Sequence, residues 1–180
     1  MPFLIRISQI IDAISVTVGK AVSWLVLVAV LVSAGNAVSR KVLSASSNAW
    51  LEMQWYLFSA VFLLAAAYTL QRGEHVKIDI IYGRLQRRTQ VWIEVLGTLF
   101  FLFPFVGITL YLTYPLAIQR WVSDEVSSNA GGLPLWPAWM LIPLGFALLG
   151  LQGISELIKR IGFLTGTGPD PLEGRVSGPH

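Results

Sequence analysis

Apolar residues dominate four stretches of the chain, 21–38, 51–70, 91–114 and 135–157. A bilayer's hydrocarbon core is about 30 Å thick and takes roughly 20 apolar residues in a helix, so each stretch is long enough to cross it. Lipid offers no partner to a bare backbone amide, and four short segments cannot close a barrel, so all four are predicted to be helices. Pro104 and Pro143 fall inside the third and fourth spans and are expected to bend them. Pro134 and Pro137 suit a helix start, where a missing N–H costs little. Ahead of the first span, Phe3, Ile7, Ile10, Ile14 and Val18 recur at helical spacing, with Arg6, Gln9 and Asp12 elsewhere. That pattern predicts an amphipathic helix over 3–18, lying in the inner interface or packed on a partner. About 20 residues precede a long apolar run, which disfavours a cleaved signal and predicts that the segment is retained.

Between the second and third spans the pattern is mixed. Ile78, Ile81, Tyr82 and Leu85 fit one helix face, Lys77, Arg84 and Arg88 a neighbouring one, while Val76 and Ile80 land opposite. This predicts a cytoplasmic amphipathic segment held on two sides, as against a partner. From 162 to 180 the chain is rich in Gly and Pro without an apolar period and is expected to be a disordered tail. The fold class is therefore an all-α integral membrane protein, with one membrane domain over 1–161.

Composition agrees. The chain is 54% hydrophobic and 13% charged, with a mean hydropathy of +0.65; soluble domains hold about a quarter charged residues. A water-soluble or disordered protein is excluded. The absence of cysteine rules out disulfides, thiolate metal sites and cysteine nucleophiles. A net charge of +3 is too small to suggest nucleic acid. Lys and Arg set the orientation: Arg6 and Lys20 in the N-terminal segment, five in the middle loop, and Lys159, Arg160 and Arg175 after the fourth span make ten, against Arg40, Lys41 and Arg120 in the other two loops. Both termini and the middle loop are expected in the cytoplasm.

Few residues could carry chemistry. Glu52, at the start of the second span beside Trp50 and Trp55, reads either as a proton or cation site or as a carboxylate favoured by a helix N-terminus. Glu94 poses the same choice at the inner end of the third span. Asn36, Gln54, Thr98, Thr109 and Gln152 suit interhelical hydrogen bonds, and Gly145, Ala147, Gly150 and Gly153 offer small surfaces to a neighbouring helix. His75 and Asp79 are four apart, yet two ligands without a third make a poor metal site. The basic cluster Lys77, Arg84, Arg87 and Arg88 could attract anionic headgroups. No mid-membrane Lys or Arg awaits a carboxylate substrate, and no repeated halves with broken helices meet at a midplane site. No nucleophile constellation or phosphate loop is present. The inventory is that of a part of something larger.

Several segments carry a resemblance. Glu74-His75-Val76-Lys77-Ile78-Asp79 follows a span ending Tyr68-Thr69-Leu70, and Trp50-Leu51-Glu52-Met53-Gln54-Trp55-Tyr56 opens the second helix. Ser127-Ser128-Asn129-Ala130-Gly131-Gly132-Leu133-Pro134 precedes a fourth helix containing Ile142-Pro143-Leu144-Gly145-Phe146 and Leu151-Gln152. In order and spacing these resemble the small membrane subunit of tripartite ATP-independent periplasmic (TRAP) transporters, the DctQ-like family. The resemblance implies an inner-membrane, non-catalytic subunit that packs as a scaffold on a large elevator-type subunit. It also implies sodium bound by that large partner rather than by this chain, a periplasmic substrate-binding protein, and sodium-driven uptake of organic acids, with 2-oxo acids or similar monocarboxylates as the substrate type. On that reading Arg120, Asp124 and Glu125 are candidates for docking the binding protein, and Lys77, Arg84, Arg87 and Arg88 for holding phospholipid at the joint. Two other readings stand beside it: a self-sufficient proton-coupled exporter of lipophilic cations using Glu52, and a membrane-anchored assembly factor.

Overall fold

A computed structural model of the chain describes residues 2–42, 47–73, 82 and 84–170. Helix α1 is Pro2–Val42 and α2 is Asn48–Arg72; α3, Arg87–Gly97, runs through a π-helical turn, Thr98–Leu102, into α4, Phe103–Ser123; α5 is Trp136–Leu164. Four rods, with α3 to α4 counted as one, are long and apolar enough to cross a membrane. The described residues hold no strand, only one isolated bridge between Val126 and Pro134. The all-helical, four-span architecture is as the hydrophobic pattern predicts.

In the first rod, the amphipathic stretch 3–18 and the apolar span that follows it run on as one unbroken helix of 41 residues, about 61 Å long at 1.5 Å per residue. No proline interrupts it, and Gly19 does not break it. That glycine admits a neighbour instead: a Cβ there would lie 2.5 Å from the Tyr68 ring. The face that packs is not the apolar one. Ser8, Ser15, Val22, Ala29 and Asn36, seven residues apart each time, are buried, while Phe3 and Ile10 are 72% and 61% exposed. A period of 3.5 is that of helices winding left-handedly about each other. In lipid, association selects small and hydrogen-bonding residues over greasy ones, so the large apolar side chains are left facing outward.

In the third rod, the Phe103 N–H bonds the Thr98 carbonyl five residues back. Pro104 follows immediately, and a proline ring clashes with the carbonyl four residues before it. Widening the preceding turn relieves that clash. The rod then continues past Pro115 to Ser123, beyond the predicted end at 114.

Helix α5 touches every other rod. A Cβ at Gly145 would stand 2.8 Å from the Leu63 carbonyl oxygen in α2, and one at Gly153 would stand 2.9 Å from Leu102. Gly150 similarly faces Val106 of α4. The small residues seen in the sequence thus serve two different neighbours. Beyond Leu164 the first residues of the expected disordered tail form a closed turn, with the Thr167 and Gly168 N–H groups both bonded to the Gly162 carbonyl. The remaining ten, 171–180, lie outside the described residues.

Gly145→Ala should destabilise the protein by about 1–3 kcal/mol through overpacking against Leu63 backbone. Gly35→Ala, where a Cβ meets nothing within 4 Å, should be neutral or stabilising. Thermal unfolding in detergent compares the two.

Candidate functional site

Polar side chains gather at both ends of the bundle. At the end carrying the 123–136 connection, Asp124 closes α4 in the left-handed conformation (φ 46). The connection doubles back on itself: the Leu135 N–H reaches the Glu125 carbonyl (2.9 Å) and the Ser127 N–H the Leu133 carbonyl (3.0 Å). At its tip Gly131 adopts φ +69, a value that costs residues with a Cβ.

Glu52, the fifth residue of α2, is buried beneath this loop. Its Oε1 accepts hydrogen bonds from the Ser127 hydroxyl (2.5 Å) and the Asn129 amide (2.7 Å), and its Oε2 accepts one from the Leu133 N–H (2.6 Å). Asn48 donates to the Ala130 carbonyl, and the Tyr56 hydroxyl to the Pro134 carbonyl at 2.8 Å. The carboxylate therefore neither caps its own helix nor lines a passage: it is clasped by the loop. Among the expected docking residues, Arg120 contacts Glu125 and lies over the Trp139 ring, while Asp124 is exposed.

At the opposite end, charges converge on α5. Asp12 of α1 accepts from Gln152 Nε2 (2.8 Å), Ser155 Oγ (2.7 Å) and Lys159 Nζ (3.1 Å). Glu156, fully buried, contacts Lys159 and lies 3.1 Å from Arg160 Nη1. Arg160 in turn donates from Nε to Glu94 Oε2 (2.7 Å), whose other oxygen accepts from the Tyr82 hydroxyl (2.8 Å). Burial, and then the bond to Glu94, push the Tyr82 phenol above its ordinary range, so it stays protonated and donating. Gln90 Nε2 secures the Tyr82 carbonyl (2.8 Å). Three carboxylates and two cations from α1, α3 and α5 are thus joined in one network. Beside it, between the start of α1 and the end of α5, lies a largely apolar cavity of about 270 Å³ bordered by Leu4, Ile5, Asp12, Ile158 and Lys159.

Of the middle-loop candidates, Glu74, His75, Lys77 and Asp79 lie outside the described residues. Arg84 is exposed. Arg87 pairs with Asp170 at 2.7 Å and Arg88 donates to the Leu164 carbonyl at 3.2 Å, so they tie α3 to the end of α5 and to the segment that follows it. Sequence reasoning missed Asp12, Glu156, Lys159 and Arg160 as a unit, taking Lys159 and Arg160 only as topology signals. The available hint was Glu156 at i−3 and i−4 from two cations on one helix face.

Arg160→Met should cost about 3–5 kcal/mol, because Glu94 and Glu156 then share one cation fewer in a buried site. A double-mutant cycle with Glu94→Gln, read by thermal unfolding, should return a large part of that loss.

The family model for tripartite ATP-independent periplasmic transporters, DctQ component, matches residues 29–162, from the middle of α1 almost to the end of α5. Comparisons with curated proteins and with solved structures return no match. The matched span is well over half of the chain and contains the Glu52 clasp and the helices that bear Glu94 and Arg160. The chain belongs to the DctQ component family of TRAP transporters.

Proposed function

We propose that this chain is the non-catalytic small membrane subunit of a sodium-driven organic-acid importer, bracing a large elevator-type subunit that holds both substrate and sodium. One observation carries the reading. Six ionisable side chains within the helices, Asp12, Glu52, Glu94, Glu156, Lys159 and Arg160, are engaged with other groups of the same chain. A bundle with its polar groups turned inward suits a fixed support better than a carrier.

The lateral surface agrees with that role. Trp24, Phe62, Phe101, Tyr111 and Val122 are all strongly exposed, as a bundle surrounded by lipid and an apolar partner requires. Rods longer than the hydrocarbon core, with aromatic residues at both ends, resist vertical sliding. The Lys and Arg asymmetry supports an inner-membrane protein with both termini in the cytoplasm, which puts the Glu52 clasp on the periplasmic side. There Asp124, with the Arg120–Glu125 pair beside it, is available to a periplasmic substrate-binding protein by charge complementarity. Exposed Arg84 suits an anionic lipid headgroup at the inner surface.

Reconstitution tests the central claim. Proteoliposomes holding the large subunit, this chain and the binding protein should take up substrate down a sodium gradient, and omitting this chain should abolish uptake. Full uptake without it, or accumulation by this chain alone, overturns the proposal. The chain has no native cysteine, so Gln86→Cys gives a single label site. A membrane-impermeant maleimide added to intact cells should leave it unmodified, and labelling from outside would reverse the orientation.

A further inference from the structure

The Glu52 clasp is more elaborate than loop closure needs. The residues at its tip, 128–131, are small and exposed, so no apolar side chain there anchors the loop to the bundle. Besides its own backbone bonds and the Asn48 and Tyr56 contacts, what ties it to α2 at three points at once is a carboxylate receiving three uncharged donors, spread over positions 127, 129 and 133. Gly132 makes the form specific as well: a Cβ there would lie 2.6 Å from Ser127 Cβ and 3.0 Å from the Asn129 carbonyl oxygen. What the clasp presents is an exposed, uncharged tip of small side chains, at the end of the bundle away from Arg87, Arg88 and Arg160. A membrane subunit packs on apolar flanks. A polar, outward-facing tip suits a water-soluble protein.

We infer that Glu52 is a positioning residue for docking of the periplasmic substrate-binding protein: it holds the loop 125–135 in shape, and the tip 128–131 is the surface that protein reads. The inference rests on the docking role proposed above and adds the place and the residue that shapes it. Arg120 and Glu125 contact each other beside the loop, which leaves Asp124 to steer the approach and the tip to supply the short-range fit. Glu52→Gln keeps the size but replaces one acceptor oxygen by a donor, which then faces either Asn129 or the Leu133 N–H. The loop loses its shape although none of its own residues has changed.

The test is sodium-driven uptake by the full complex in proteoliposomes, titrated with binding protein, after co-purification has verified assembly. Glu52→Gln and Gly132→Ala, which disturb the clasp from opposite sides, should each raise the half-saturating binding-protein concentration about tenfold, with uptake at saturation changed less than twofold. Ser128→Trp and Ala130→Trp, which obstruct the tip directly, should do the same. Should Glu52→Gln fail to assemble, Gly132→Ala decides alone. Tip variants that raise the concentration while both clasp variants leave it unchanged would overturn the role of Glu52 and leave docking standing. Tip variants without effect would overturn the inference itself; an effect of Asp124→Lys in the same assay would then show that docking occurs elsewhere on this face. Lower uptake at saturation with an unchanged half-saturating concentration would place Glu52 in assembly or transport and equally end the inference.

Discussion

A charge without a partner in low-dielectric surroundings costs several kcal/mol, and the end of this bundle that holds Glu156 is organised by that constraint. Glu156 is fully enclosed, and its neighbours follow from it: Lys159 joins it to Asp12, and Arg160 joins it to Glu94 and so to Tyr82. Both cations stand on α5, whereas two of the acids stand on α1 and α3. Satisfying the charges therefore requires three helices to meet at one end of α5. Glycines on the same helix do the complementary job, letting α2 approach at Gly145 and α4 at Gly153. Charge sets which helices converge, and small residues set how closely.

The opposite end, where Glu52 lies, meets a different demand with a related device. A connection of polar and small residues has no apolar side chain to anchor it at the tip, so a buried carboxylate takes that part, held by a hydroxyl, an amide and a backbone N–H. Hydrogen bonds to an ionised group are roughly twice as strong as neutral ones and directional, so they shape a loop where hydrophobic contact would only hold it down. The two ends together draw the buried ionisable groups of the helices into contacts within the chain, while large apolar side chains such as Trp24, Phe62 and Phe101 face outward on the flanks. That distribution fits membership in a transporter component family better than independent carriage.

Much of this was legible beforehand, and the exceptions have identifiable causes. The two predicted proline helix starts divided: Pro137 sits in the first turn of α5, whereas Pro134 ends up bridged to Val126. Pro104 acted through the turn before it, because the clash it creates falls on a carbonyl four residues back. The N-terminal segment was read as an amphipathic helix in the interface or on a partner, a pattern that says where its apolar face goes but not which face packs within the chain. In a membrane bundle the packing face is the one whose side chains are small and bond to neighbours, and Ser8 and Ser15 occupy it. Glu52 attracted notice by its position, and the Asn-Ala-Gly-Gly-Leu-Pro segment by its composition. Nothing in either indicated that one holds the other, with some 75 to 81 residues between them.

By itself the chain determined four spans and an all-helical fold, since crossing a bilayer depends on local length, apolarity and backbone hydrogen bonds made within each segment. Which polar groups meet was left to the tertiary structure. The Ser8–Ser155 pair joins residues 147 positions apart, and no periodicity along the chain encodes such a distance. Whether an acid ends beside a cation, a hydroxyl or an amide is decided only when several helices are brought together at once, and there the charges of Asp12, Glu94 and Glu156 found their partners.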